Sequence, residues 1–252
     1  STSTEATLLS TSKDSKDFAP DLLKTVLAYS IHVSDEAIFE QLRQRVLSGE
    51  RIDIYSNMRL RFSDVALDMT SFNLHSFRRD AGKDFVQACS SAIASDKPTL
   101  IVTQTFFEKE ILKKCTNAVI LTPRTIVLGI EYAGRANSEY SLNVVLEGLR
   151  RHAINPLSVA TIAVSESAAM DDTTKLIQKT LKAELKTCEN SAINAYRLPL
   201  KTGFSLPQAE ADICTACACT VCKNGRILVR RSGDKNGLMF SAVSAIDEIK
   251  LR

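Results

Sequence analysis

Two segments bring carboxylates to the ends of apolar runs, where a folded chain can do chemistry. TIVLGIEYAG, residues 125–134, closes on Glu131, Tyr132 and Gly134, and VATIAVSESAAMDD, residues 159–172, carries Glu166, Asp171 and Asp172. A carboxylate on a turn after a strand of an open α/β sheet can serve as a general base or acid for a ligand in the adjoining crevice. Glu131 stands close to Gly134, where a backbone can approach a ligand. Each acid also has an ordinary explanation as a solvated carboxylate, and Asp171 and Asp172 as the negative start of a helix. Cations lie nearby in sequence: Arg135 follows Gly134, and Arg230, Arg231 and Lys235 gather around SGDKNG. Arginine suits two-point capture of carboxylates, although an RR pair also reads as a charged sheet edge that blocks strand-to-strand association.

CTACACTVC, residues 214–222, puts four of seven cysteines in one short stretch. Ser205 and Gln208 form a capping-box pattern with Pro207 in the first turn, which predicts a helix starting ahead of the cysteines. At about 100° per residue the four sulfurs spread over more than half of such a helix's circumference and do not converge on one ion. Zinc knuckles and iron–sulfur sites need other spacings. The cysteines therefore read as small apolar residues packed against a sheet. The three histidines, His32, His75 and His152, lie far apart, and His152 after Arg150 and Arg151 reads as a cation at a helix end. No protein metal site and no cofactor are expected.

Those residues need elements to hold them. At 252 residues, 44% hydrophobic and 24% charged, the chain has the composition of a globular protein with room for two domains. A net charge of +3 is too mild to imply nucleic-acid binding by itself, and it suits an anionic small molecule if the basic residues are clustered. The longest apolar run is broken by Pro123 and Arg124 and is too short to span a bilayer, and the first residues lack the basic and apolar regions of a secretory signal. With an odd number of cysteines, that points to reduced thiols in a cytoplasm. Ile38, Leu42 and Val46 predict a helix over 35–47 that stops at Gly49. Further elements expected are the strand RIDIYS, a helix over 80–94, the strand KPTLIVT, a helix over FFEKEILKKC and the strand NAVILT. After Pro123 come the strand TIVLGIEY, a helix with Leu142, Val145, Leu146 and Leu149 on one face, the strand LSVATIAV, a helix over about 170–186 and the strand NAYRLP. The cysteine helix and an antiparallel ribbon, ILVRR with LMFSAVSAI, complete the series. Alternation of strands and helices predicts an α/β protein of two small domains with mostly parallel or mixed sheets, divided near residue 122.

The order of these elements and the residues at their joints resemble the CbiG family of cobalamin biosynthesis, whose C-terminal domain is shared with CobE proteins. TIVLGIEYAG is similar to that domain's opening strand and glycine turn. VATIAVSESAAMDD looks like the family's A-T-I strand and acidic turn, and ADICTACACTVCKNGRILVRRSGDKNGLMFSAVSAI, residues 211–246, resembles its small-residue helix and closing strands. DEAIFEQLRQRVLSGERIDIYS resembles the middle region. The resemblance implies residues 1–20 as the tail of a missing N-terminal domain, 21–122 as the middle-region domain and 123–252 as the C-terminal domain. It implies cobalt-precorrin-5A hydrolysis, in which a ring lactone opens and acetaldehyde leaves, or else a non-catalytic CobE-like protein that holds a corrinoid intermediate. The substrate is an anionic tetrapyrrole that carries its own cobalt. Other corrin-pathway enzymes and a second copy of the chain are the partners implied, with no nucleic acid and no membrane. In that setting Glu131, Glu166 and Asp171 are the candidate catalytic residues. Gly129, Tyr132, Gly134, Arg135, Arg230, Arg231 and Lys235 are the candidate substrate-binding residues. Glu131 and Tyr132 stand where the family carries glycine and cysteine.

Overall fold

The stretches Thr99–Val102 and Ala118–Thr122 are buried at every position, the mark of central strands covered on both faces. They belong to a computed structural model that describes residues 22–62, 72–132, 134, 137–197 and 211–251. The chain divides into two units, Ser1–Pro123 with Glu248–Arg252, and Arg124–Asp247.

In the first unit the chain runs α1 (Leu22–Ala28), β1 (His32–Val33), α2 (Glu36–Leu47), β2 (Ile52–Ser56), β3 (Arg59–Phe62), β4 (Phe72–Ser76), α3 (Gly82–Ala94), β5 (Thr99–Val102), α4 (Lys109–Leu112) and β6 (Ala118–Thr122). Asp35 starts α2 by accepting a hydrogen bond from the Ile38 amide at 3.0 Å, and Phe39, Leu42 and Val46 form its buried face. The sheet order is β1-β6-β5-β2-β4, parallel throughout except for β1. Strands β3 and β4 have no counterpart among the sequence expectations, because RLRF and FNLHS lack a long apolar run. The helix expected over FFEKEILKKC is a single turn, α4. Phe107 is instead buried in the core ahead of that turn, and Glu108 is extended.

The second unit holds β7 (Ile126–Tyr132), α5 (Ser138–Arg151), β8 (Val159–Ser165), α6 (Asp172–Leu181), β9 (Glu184–Cys188), α7 (Asn190–Ala195), α8 (Ile213–Val221), β10 (Arg226–Gly233) and β11 (Leu238–Ser244). Its order is β10-β11-β7-β8-β9: β7, β8 and β9 run parallel, and β10 and β11 form the antiparallel edge expected from the sequence. Alternation along β7 separates two cores. Ile126, Leu128 and Ile130 pack with Val145, Leu149, Ile177 and Leu181 on the side of α5 and α6, whereas Val127 packs with Ala216, Cys217 and Cys219 of α8. Each such large aliphatic side chain contributes about 1.5–3 kcal/mol on full burial.

Three boundaries differ from expectation. The helix expected to reach residue 186 ends at Leu181, where Lys182 turns left-handed at φ 49°, and the following ELKTC forms β9. That strand displaces the one expected at NAYRLP, whose first two residues, Asn194 and Ala195, end the short helix α7 with Ile193 buried against α8. Helix α8 is capped by Asp212, whose side chain accepts from the Thr215 amide at 2.9 Å; Ser205 and Gln208 lie outside the described residues. The last strand, β12 (Glu248–Leu251), returns to the first unit and pairs in parallel with β3. No helix among the described residues is long and apolar enough to cross a membrane.

Candidate functional site

Glu131 lies on the α8 face of β7, the same face as Gly129 and Val127. Gly129 is there for packing: a β-carbon on it would fall 1.8 Å from the Cys214 carbonyl oxygen, so only glycine lets the start of α8 lie on the sheet. The helix start thereby comes to rest beside Glu131. The carboxylate is mostly buried, with a side chain 16% exposed, and its Oε2 is enclosed without a hydrogen-bond partner.

Two arginines reach this face through an irregularity in β10. Val229 pairs with Ala242 and Ser232 with Phe240, so that Arg230 and Arg231 together oppose the single residue Ser241. This is a β-bulge, and Arg231 adopts the left-handed region at φ 47°. In a regular strand consecutive side chains point to opposite faces; here Val229 and Ser232 face α5, and the bulge leaves both arginines facing α8. Arg231 Nη2 lies 3.8 Å from Glu131 Oε1, and Arg230 Nε lies 3.8 Å from Asp212 Oδ2. Both arginine side chains are about half exposed, at 50% for Arg231 and 55% for Arg230.

The helix end supplies the rest of the polar wall. Asp212 caps α8 and also accepts a hydrogen bond from the Cys214 thiol at 3.0 Å. Burial alone would raise the Asp212 carboxyl, but the hydrogen bonds from Cys214 and Thr215 outweigh it and hold the group below its ordinary range. Burial, reinforced by the Asp212 hydrogen bond, pushes the Cys214 thiol well up and keeps it protonated. Glu131, Asp212 and Cys214 offer ligand atoms within 4.8 Å of one another, a spacing that a cation could use. Two guanidiniums, the positive end of α8 and a protonated thiol all oppose a cation there. The arrangement sets two half-exposed arginine side chains against two more deeply buried carboxylates, Glu131 and Asp212. The other cysteines of α8 go to separate neighbours: Cys217 meets Cys188, and Cys219 meets Tyr196.

The remaining expected residues are distributed around this site. Tyr132, one position after Glu131, faces the other side of the sheet, where its hydroxyl meets Thr174 Oγ1 at 2.8 Å and burial pushes its pKa up to about 12. Asp171 caps α6 on that same side, accepting from the Thr173 amide at 2.7 Å, and Glu166 is exposed in a turn after β8. Asp171 thus lies across the sheet from Glu131, whereas Glu166 follows the end of β8, the strand beside β7. Pairing of Leu238 with Tyr132 sets the β10–β11 turn at the C-terminal end of β7, which places exposed Lys235 at the rim. Gly134 lies beside that turn, where a β-carbon would come within 3.2 Å of the Asn236 carbonyl oxygen. Arg135 lies outside the described residues. Asp212, Cys214 and Ser241 were not singled out from the sequence as site residues. An aspartate directly before a small-residue helix was the available signal for the first.

No family model matches the chain, and no curated protein does. Among solved structures it is similar to CobE, a protein from the cobalamin (vitamin B12) biosynthetic pathway, at TM-score 0.40 and 10% identity over 48% of this chain and 89% of that one. It is similar to a putative cobalamin biosynthesis protein G homolog from Sulfolobus solfataricus at TM-score 0.38 and 12% identity, over 86% of this chain and 57% of that one. Cobalamin biosynthesis protein chiG from Agrobacterium tumefaciens str. C58 gives TM-score 0.39 and 16% identity over 47% of this chain and 97% of its own. At these scores the function rests on the chain's own residues and motifs.

Proposed function

We propose that this chain acts in cobalamin biosynthesis by binding a cobalt-precorrin, and that it hydrolyses cobalt-precorrin-5A. The observation that carries the proposal is the bulge that turns Arg230 and Arg231 onto the face of Glu131. A precorrin is ringed by carboxylates, and two adjacent half-exposed arginine side chains match that chemistry. The motifs of residues 125–134, 159–172 and 211–246 supply the identity of the macrocycle. In the proposed reaction Glu131 takes a proton from water as the water adds to the lactone carbonyl. Arg231 stabilises the oxygen that becomes negative, and the ring C–O bond breaks to give a carboxylate and a hydroxyl group. Loss of the hydroxyl proton then forms the aldehyde C=O as the adjacent C–C bond breaks, the electron pair of that bond passing into the conjugated macrocycle, and acetaldehyde leaves. The cobalt arrives with the substrate.

A carrier without turnover is the second reading, favoured by the placement of Asp171 on the opposite face of the sheet from Glu131. Anaerobic incubation of the chain with cobalt-precorrin-5A separates the two. Acetaldehyde release that is lost in Glu131→Gln supports the hydrolase. A saturable change in the visible spectrum without acetaldehyde supports the carrier, and no spectral change removes both.

A further inference from the structure

The arginine bulge has one buried hydroxyl at its centre. Ser241 is fully buried and is the residue that Arg230 and Arg231 jointly oppose. Its Oγ accepts a hydrogen bond from the Arg231 amide at 2.9 Å. In an unbroken antiparallel ladder a strand amide donates to a carbonyl of its neighbour; an extra residue interrupts that pairing, and at Arg231 the serine hydroxyl supplies the acceptor. The first turn of α8 fixes where that hydroxyl points, with Thr215 Oγ1 at 2.6 Å and Cys214 Sγ at 3.3 Å. Arg231 meanwhile holds a left-handed backbone that a non-glycine residue keeps only when its surroundings impose it.

We propose that Ser241 is a positioning residue for carboxylate capture: by holding the Arg231 amide it fixes the bulge that keeps the Arg231 guanidinium over Glu131. The ligand in this proposal rests on the corrinoid reading, while the hold on the backbone does not. A methyl group in place of the hydroxyl leaves the Arg231 amide without its acceptor. The extra residue is then held at this point of β10 only by the flanking pairs Val229–Ala242 and Ser232–Phe240, and the guanidinium spends more of its time away from Glu131.

The test is a two-by-two set in the full chain, with Ser241→Ala and Arg231→Ala made singly and together, titrated anaerobically with cobalt-precorrin-5A by visible absorption. Each single variant is expected to bind about tenfold more weakly, the scale of one lost hydrogen bond to a charged group. The double variant is expected to match Arg231→Ala within about twofold, because Ser241 acts through Arg231. A serine that merely stabilised the fold would weaken both backgrounds by the same factor. That result, or Ser241→Ala binding within about twofold of the parent, overturns the proposal. Site-resolved amide exchange of Arg231 gives a second readout that needs no ligand. A rate at least about tenfold faster in Ser241→Ala, with the Leu128 amide unchanged, supports the hold on the bulge, and an unchanged Arg231 rate overturns it. If the parent protein gives no spectral shift, the corrinoid reading fails and the exchange measurement still decides the role of Ser241.

Discussion

Glu131 and Asp212 carry different parts of the site, and single substitutions separate them. Glu131→Gln keeps the shape and removes the base, so acetaldehyde release should fall at least about a hundredfold while cobalt-precorrin-5A binding stays within a few-fold. Equal loss of binding would make Glu131 a docking group. Asp212 is tied to stability through pH. Its carboxyl is held below an ordinary value of 3.8, and a depressed carboxylate contributes stability that is complete above the unfolded-state value and lost as pH falls through the folded one. The urea midpoint of the parent should therefore drop on acidification below about pH 4. Asp212→Asn should show a lower midpoint at pH 7 and a shallower acid limb. Identical acid limbs would contradict the assignment. Glu131, Arg230 and Arg231 were legible as candidates because their residue types and turn positions suggest carboxylate chemistry. That Tyr132 turns away from Glu131 follows from strand alternation, once β7 is known to continue through both residues.

At the scale of elements, the site depends on a helix lying close to a strand and on a strand losing its alternation. Gly129→Ala drives a methyl group into the Cys214 carbonyl, so α8 must lift from β7. The expected cost is at least about 2 kcal/mol in urea unfolding, with weaker corrinoid binding as Asp212 moves away. Cys217→Ala, by contrast, removes a buried sulfur that faces Cys188 and should leave binding within a few-fold. Metal lost from that variant would overturn the packing account of the cysteines. Strong apolar periodicity made α2, α5, β7 and β8 legible in the sequence. The bulge was not, since no residue pattern in ILVRRSG marks where the ladder shifts register. ELKTC also escaped, because its charged positions continue the pattern of the preceding helix.

At the scale of the whole molecule, the two units differ in how they are closed. The second unit is continuous in sequence from Arg124 to Asp247, whereas the first takes its last strand from the far end of the chain. Strand β12 buries Ile249 and Leu251, and its Lys250 amide donates to the Tyr29 hydroxyl at 3.0 Å. Ending the chain after Asp247 should cost the first unit about 3 kcal/mol or more, read by denaturant unfolding of its own probes. An unchanged midpoint would show that β12 adds nothing. The α/β class was legible from alternating elements. The return of β12 was not, because DEIKL is too short and too charged to announce a partner nearly two hundred residues earlier. The central claim, that the bulge makes a clamp for a carboxylated macrocycle, is tested most directly by an anaerobic visible titration with cobalt-precorrin-5A. The parent should give a saturable shift, and Arg230→Ala with Arg231→Ala together should weaken it about a hundredfold, two charge-assisted contacts at about tenfold each. An equal shift in both proteins, or none in the parent, would contradict it.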